Sequence, residues 1–179
     1  MNILNITKNR GFTVVETLVA VGILSLSILA TFSAVQSGLQ YSGLTKEEIT
    51  AFYLIQESIE YVKNIRDENA LLTLNGTSRN WLYGITDSAG EACYFGKTCQ
   101  LDMNSGTKLS TCSGTCSVLK VNTTSGAYGY SGTWANTSFV RSITFTQISA
   151  NEVRMNVTLS WTNRGQAKQI QVSELLLNR

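Results

Sequence analysis

Four cysteines, Cys93, Cys99, Cys112 and Cys116, and one glutamate at the head of an apolar run, Glu16, are the residues whose chemistry stands out in this 179-residue chain. In an oxidising compartment the four thiols predict two disulfides, with three connectivities open. Pairing in sequence, Cys93 with Cys99 and Cys112 with Cys116, closes short intervals that each contain a glycine. A crossed pairing closes longer loops and removes more entropy from the unfolded chain. The competing use is a four-cysteine zinc site, but Cys-x5-Cys and Cys-x3-Cys fit zinc-ribbon spacing poorly. Histidine is absent, which excludes a Ser-His-Asp triad, a Cys-His pair and histidine-ligated zinc. Asp87, Glu91 and Asp102 lack calcium-loop spacing. No catalytic residue, metal or cofactor is expected. The 14 basic and 12 acidic side chains leave a net charge of +2, too balanced for a broad phosphate-neutralising face, so no nucleic-acid partner is expected.

Glu16 opens a different chemistry. Between it and Lys46 lie 29 consecutive uncharged residues, and Leu18 to Val35 is dominated by Leu, Val, Ile, Ala and Phe. A helix of about 20 apolar residues spans a bilayer. Apart from Glu16, the only preceding charges are Lys8 and Arg10, which by the positive-inside rule hold the N-terminus in the cytoplasm and send the rest across. An ordinary secretory signal is cut beyond an apolar core of about 7–15 residues. Here the small residue is Gly11, ahead of the apolar run, so a cut there removes a short basic leader and keeps the hydrophobic helix. A carboxylate at the bilayer centre costs about 2.5–3.5 kcal/mol on insertion scales and calls for a partner. Near the interface, the positive end of the helix dipole or the chain's own amine would serve.

The string Gly11-Phe12-Thr13-Val14-Val15-Glu16, continued by Leu18-Val19-Ala20-Val21-Gly22-Ile23-Leu24, resembles the cleavage and N-methylation signature of type IV pilins and type II secretion pseudopilins. The resemblance covers residues 8 to about 40 closely and the rest in architecture. It implies cleavage by prepilin peptidase between Gly11 and Phe12, methylation of the new Phe12 amine, and a salt bridge from Glu16 to the Phe12 amine of a neighbouring subunit. Such a bridge would set register as a filament grows, because an unpaired buried charge penalises every wrong register. The stretch Glu57-Ser58-Ile59-Glu60-Tyr61-Val62-Lys63-Asn64-Ile65-Arg66-Asp67 is similar to a helix of minor pilins in the PilV-like pilus-modification group. The resemblance thus implies a minor pilin that primes, caps or modifies a pilus. Its implied partners are prepilin peptidase, other pilin or pseudopilin subunits, an inner-membrane assembly platform and membrane lipid. The alternatives are a pseudopilin of a type II secretion or competence system and a single-pass anchored surface domain that never polymerises.

These residues need elements to hold them. Ala51, Leu54, Ile55, Ile59, Val62 and Ile65 recur at helical steps, so one helix is expected from near Phe12 to about Asp67. With no proline in the chain, a bend would fall at Gly22, Gly38 or Gly43. Residues 75–137 are rich in Gly, Ser, Thr and Asn and read as loops and short strands, with Tyr94, Phe95, Tyr128, Tyr130 and Trp134 expected to plug them onto a sheet. Phe139–Ile148, Val153–Trp161 and Ile170–Leu177 predict a three-strand antiparallel meander, with Val153, Met155, Val157, Leu159 and Trp161 on one face and a turn at Asn163-Arg164-Gly165-Gln166. The expected fold class is α+β: a long N-terminal helix, half transmembrane and half amphipathic, packed on a C-terminal antiparallel sheet. The expected divisions are a leader (1–11), a membrane or filament-core helix (12–36), an amphipathic helix (37–68) and an extracytoplasmic β-rich head (69–179).

Overall fold

The computed structural model describes residues 11–178, so the leader residues 1–10, including Lys8 and Arg10, lie outside the described residues. The fold is α+β: one helix, α1 (Val14–Leu74), followed by seven strands in a wholly antiparallel sheet. The chain divides into two compact units, one ending at Lys46 and one from Glu47 onward.

Helix α1 starts where Thr13 caps it, its Oγ1 accepting the Glu16 backbone N–H at 3.2 Å. The helix runs through Gly22, Gly38 and Gly43 without interruption. It ends at Leu74 rather than near Asp67, because a glycine-based cap closes it further on. Thr77 N–H bonds Leu72 C=O at 2.9 Å and Gly76 N–H bonds Thr73 C=O at 3.1 Å, with Gly76 at φ 88°. Asn69 is buried within this extra turn and donates to Trp81 C=O and Tyr83 C=O at 3.3 and 2.8 Å, folding the next loop back on the helix.

In the unit from Glu47 onward, the meander of β5 (Ala135–Ser149), β6 (Glu152–Asn163) and β7 (Gln166–Leu177) is the backbone of the sheet. Strand β6 buries Val153, Met155, Val157, Leu159 and Trp161 in strict alternation, as expected for one inward face. Arg164 and Gly165, at φ 49° and 80°, form the two-residue turn between β6 and β7. The loop-rich middle adds strands too short for their pattern to be read: β1 (Thr98–Leu101), β2 (Leu109–Thr111), β3 (Val118–Val121) and β4 (Tyr128–Gly129). Strands β1 and β3 both pair with β5, and β2 and β4 end those branches. The core joins Ala51, Leu54, Ile55, Ile59 and Val62 of α1 to the inward residues of β5 and β6. Tyr128, Tyr130 and Phe95 pack against that core from the loops.

Candidate functional site

The cysteines lie on and beside a strand pair. Strand β1 lies against β2 with Cys99 opposite Thr111, and Cys112 N–H continues the ladder to Thr98 C=O at 2.9 Å. Cys93 bonds Cys99 and Cys112 bonds Cys116. Each bridge is local, and neither ties the two loops together. Gln100 does that: its Oε1 accepts Ser117 N–H at 3.0 Å, across the mouth of the second loop. The sulfurs are held in disulfides, so none of the four is a free thiolate ligand. Among the described residues no group of His, Cys, Asp and Glu is placed to hold a metal.

The N-terminal segment is built differently. Gly11, Phe12 and Glu16 lie at the open start of α1, with Phe12 73 % exposed. Thr13 and Glu16 have the spacing of a capping box, and Glu16 sits in the first turn, where the helix dipole favours a carboxylate. Among the described residues Glu16 makes no ion pair. From residue 11 to residue 43 every residue is exposed. Its polar side chains are already partly occupied: Ser25 donates to Val21 C=O, Ser27 to Ile23 C=O, Thr31 to Ile28 C=O and Ser37 to Ser33 C=O, at 2.8 to 3.0 Å. Hydroxyls bonded to their own helix can enter hydrocarbon without stranding a donor. This stretch of α1 is long and apolar enough to cross a membrane.

Residues 6–32 match the prokaryotic N-terminal methylation motif. The match takes in Gly11, Phe12, Glu16 and the first half of the apolar run. It supports a type IV pilin-like or pseudopilin substrate of prepilin peptidase, with a structural rather than an enzymatic role. Together with the apolar helix it points to membrane anchoring. No curated protein and no solved structure matches the chain.

The head contains a second polar centre that reading the sequence did not pick out. Arg141 of β5 is completely buried, its guanidinium donating to Glu57 Oε2 at 2.7 Å, Leu54 C=O at 2.8 Å and Leu101 C=O at 2.6 Å. One side chain thus joins α1, β1 and β5. The signal was present: Phe139, Arg141, Ile143 and Phe145 alternate onto one face, which puts a cation where an apolar residue belongs. The Tyr130 phenol lies beside it, and burial pushes its pKa above the ordinary value while Arg141 pulls the other way. Nearer the start of this unit, Glu47 Oε2 accepts Trp161 Nε1–H at 3.0 Å and Asn163 Nδ2–H at 2.6 Å. These carboxylates fix the amphipathic part of α1 to the sheet.

Proposed function

We propose that the chain is a minor type IV pilin of the PilV-like pilus-modification kind. Prepilin peptidase cuts it between Gly11 and Phe12, the Phe12 amine is methylated, and the subunit enters a pilus to prime, cap or modify it. The observation that carries this reading is a methylation motif over residues 6–32 leading into a helix with every residue exposed to position 43. Such a surface is stable only in lipid or against other apolar helices. In this reading the N-terminus is cytoplasmic and the head extracytoplasmic, a placement supported by two disulfides, which persist in oxidising compartments. Cutting at Gly11 creates a charged amine four residues before Glu16, one helical turn away at about 1.5 Å per residue. In the bilayer that carboxylate has the positive end of its own helix. In a dry helix bundle it needs a full counter-charge, and the amine of a neighbouring Phe12 supplies one.

Intact-mass and N-terminal analysis of the protein from its native membrane tests this. A mature chain beginning at Phe12 and heavier by one methyl group is expected. A chain that still begins at Met1 in cells with active prepilin peptidase would overturn the reading and leave an anchored surface domain. Glu16→Gln should be processed normally yet fail to enter filaments, and normal incorporation would remove Glu16 from the assembly step.

A further inference from the structure

The bond between Gly11 and Phe12 lies just ahead of α1, and one side chain fixes that boundary. Thr13 C=O accepts the first helical bond, from Thr17 N–H at 3.1 Å, while Thr13 Oγ1 accepts Glu16 N–H at 3.2 Å. A residue that does both is an N-cap, inside the helix by its carbonyl and outside it by its own backbone angles. Gly11 and Phe12 are accordingly non-helical and exposed.

Where the helix starts decides what a peptidase meets. A bound peptide segment is commonly held extended, with its backbone groups pairing along the cleft. Upstream of Thr13 the next residues of capping type are Asn9 and Thr7. A helix capped at either one would take Gly11 and Phe12 into its first turns, and Gly11 C=O would accept Val15 N–H. The scissile carbonyl would then be bonded to its own chain. A start further downstream would instead leave Val14 to Glu16 without helical bonds at the edge of an apolar run, a cost that an upstream start does not carry. Gly11 resists the upstream extension through its backbone entropy, and Thr13 resists it with a bond that only the N-cap conformation makes.

We infer that Thr13 is a positioning residue for cleavage, its hydroxyl holding the start of α1 downstream of the Gly11–Phe12 bond so that this bond stays extended. Hydrolysis adds water across that amide, leaving a carboxylate on Gly11 and an ammonium on Phe12, and the Thr13 hydroxyl takes no part in it. The inference rests on the proposed reading of the chain as a prepilin peptidase substrate. Replacing a threonine cap by a residue that cannot cap weakens a helix start by about two- to thirtyfold. The peptidase binds only the uncapped-upstream form, so a smaller competent fraction raises KM in proportion and leaves kcat alone.

The test incubates the full chain in non-ionic detergent with prepilin peptidase and follows the product beginning at Phe12 by mass. Thr13→Ser and Thr13→Asn keep a capping side chain and should be cut with the KM of the parent. Thr13→Ala and Thr13→Val, the second close to threonine in shape but without its hydroxyl, should raise KM about threefold or more while kcat holds. A KM for Ala and Val equal to that of the parent would overturn the inference. So would a loss carried by kcat, or one that follows side-chain size, since either would place the hydroxyl against the enzyme itself. A parent chain left whole by active peptidase is a different result, and it would overturn the proposed function and this inference with it.

Discussion

Up to Gly43 every described residue of α1 is exposed, and its hydroxyls bond their own helix; from Ala51 to Val62 the same helix buries Ala51, Leu54, Ile55, Ser58, Ile59 and Val62. The first stretch has no charge between Glu16 and Lys46. The second carries Glu57, with Glu47 just before it, and both are engaged with groups on the sheet. One helix thus contains a segment whose apolar face is met by the sheet that follows it and a segment whose hydroxyls are satisfied within the helix but whose apolar surface needs lipid or other helices. Changes in one region should leave the other unmoved.

The largest effect is expected at Arg141. Arg141→Ala empties a fully buried site and removes the guanidinium donors from the Leu101 carbonyl and from the Leu54 carbonyl, which keeps Ser58 Oγ–H at 3.1 Å. The half-buried Glu57 is left to water, and the loss should cost the head about 2–5 kcal/mol. Urea unfolding of the full chain in detergent, followed by tryptophan fluorescence, measures it, while membrane extraction should be unchanged. Joint replacement by Arg141→Met and Glu57→Gln should recover much of the loss, because an apolar side chain of similar volume removes the buried charge altogether. A fall below about 1 kcal/mol for Arg141→Ala would mean that the guanidinium is dispensable to the helix–sheet joint.

The reverse experiment places a charge in the exposed segment. Ile28 lies inside the uncharged run, and Ile28→Arg should cost about 2.5–3.5 kcal/mol of membrane insertion on translocon scales. The readout is release of the protein by alkaline carbonate. The urea midpoint of the head should stay within error of the parent, and a joint shift of both would deny the independence of the two regions.

A smaller effect lies at one glycine of the head. A Cβ at Gly129 would stand 2.8 Å from Asp102 Oδ1, 3.0 Å from Asn104 Nδ2 and 3.1 Å from the Trp134 ring. The Asn104 amide is already committed to Tyr128 C=O at 2.8 Å and cannot retreat freely. Gly129→Ala should therefore destabilise the head by about 1–3 kcal/mol through overpacking. No loss would show that the Asp102–Asn104 turn yields.

What the sequence disclosed follows the range of the interactions involved. The alternation of Val153 to Trp161 and the helical steps from Ala51 to Ile65 are local patterns, and the structure buries both on one core. The Arg164-Gly165 turn was legible for the same reason. The end of α1 was placed too early because the apolar stripe stops at Ile65, while the cap lies further on at Asn75-Gly76, where Gly76 takes the left-handed conformation. Strands β1 to β4 exist through pairing with distant residues, such as Thr98 with Thr144 and Val118 with Val140, and two to four residues carry no usable period. The cysteine pairing was open because spacing permits all three connectivities; the structure closes each bridge within its own loop, at sequence separations of 6 and 4. Arg141 was visible as a break in alternation, but its partners Leu54, Glu57 and Leu101 are 40 to 87 positions away.

The smallest expected effect sharpens the comparison through pH. Tyr130 lies beside Arg141 in the buried joint, and desolvation raises its pKa above the ordinary 10.0 although the guanidinium draws it down. At neutral pH the phenol is protonated in both the folded and the unfolded chain. As pH rises past about 10 the unfolded chain releases this proton first, so it gains stability that the folded chain cannot match until its own, higher pKa is reached. The head should therefore lose stability between the unfolded and folded pKa values, and Tyr130→Phe should flatten that part of the profile. Tyr61, raised first by burial and then by Glu68, adds to the same slope, so the Tyr130→Phe difference isolates one contribution. Urea midpoints for both chains at intervals from about pH 8 to 11 measure it. Parallel profiles would mean that the phenol is as solvated when folded as when unfolded, and that the dry joint around Arg141 stops short of Tyr130. Residues 17–39 of α1 carry no ionisable side chain, so membrane anchoring should stay flat over the same interval.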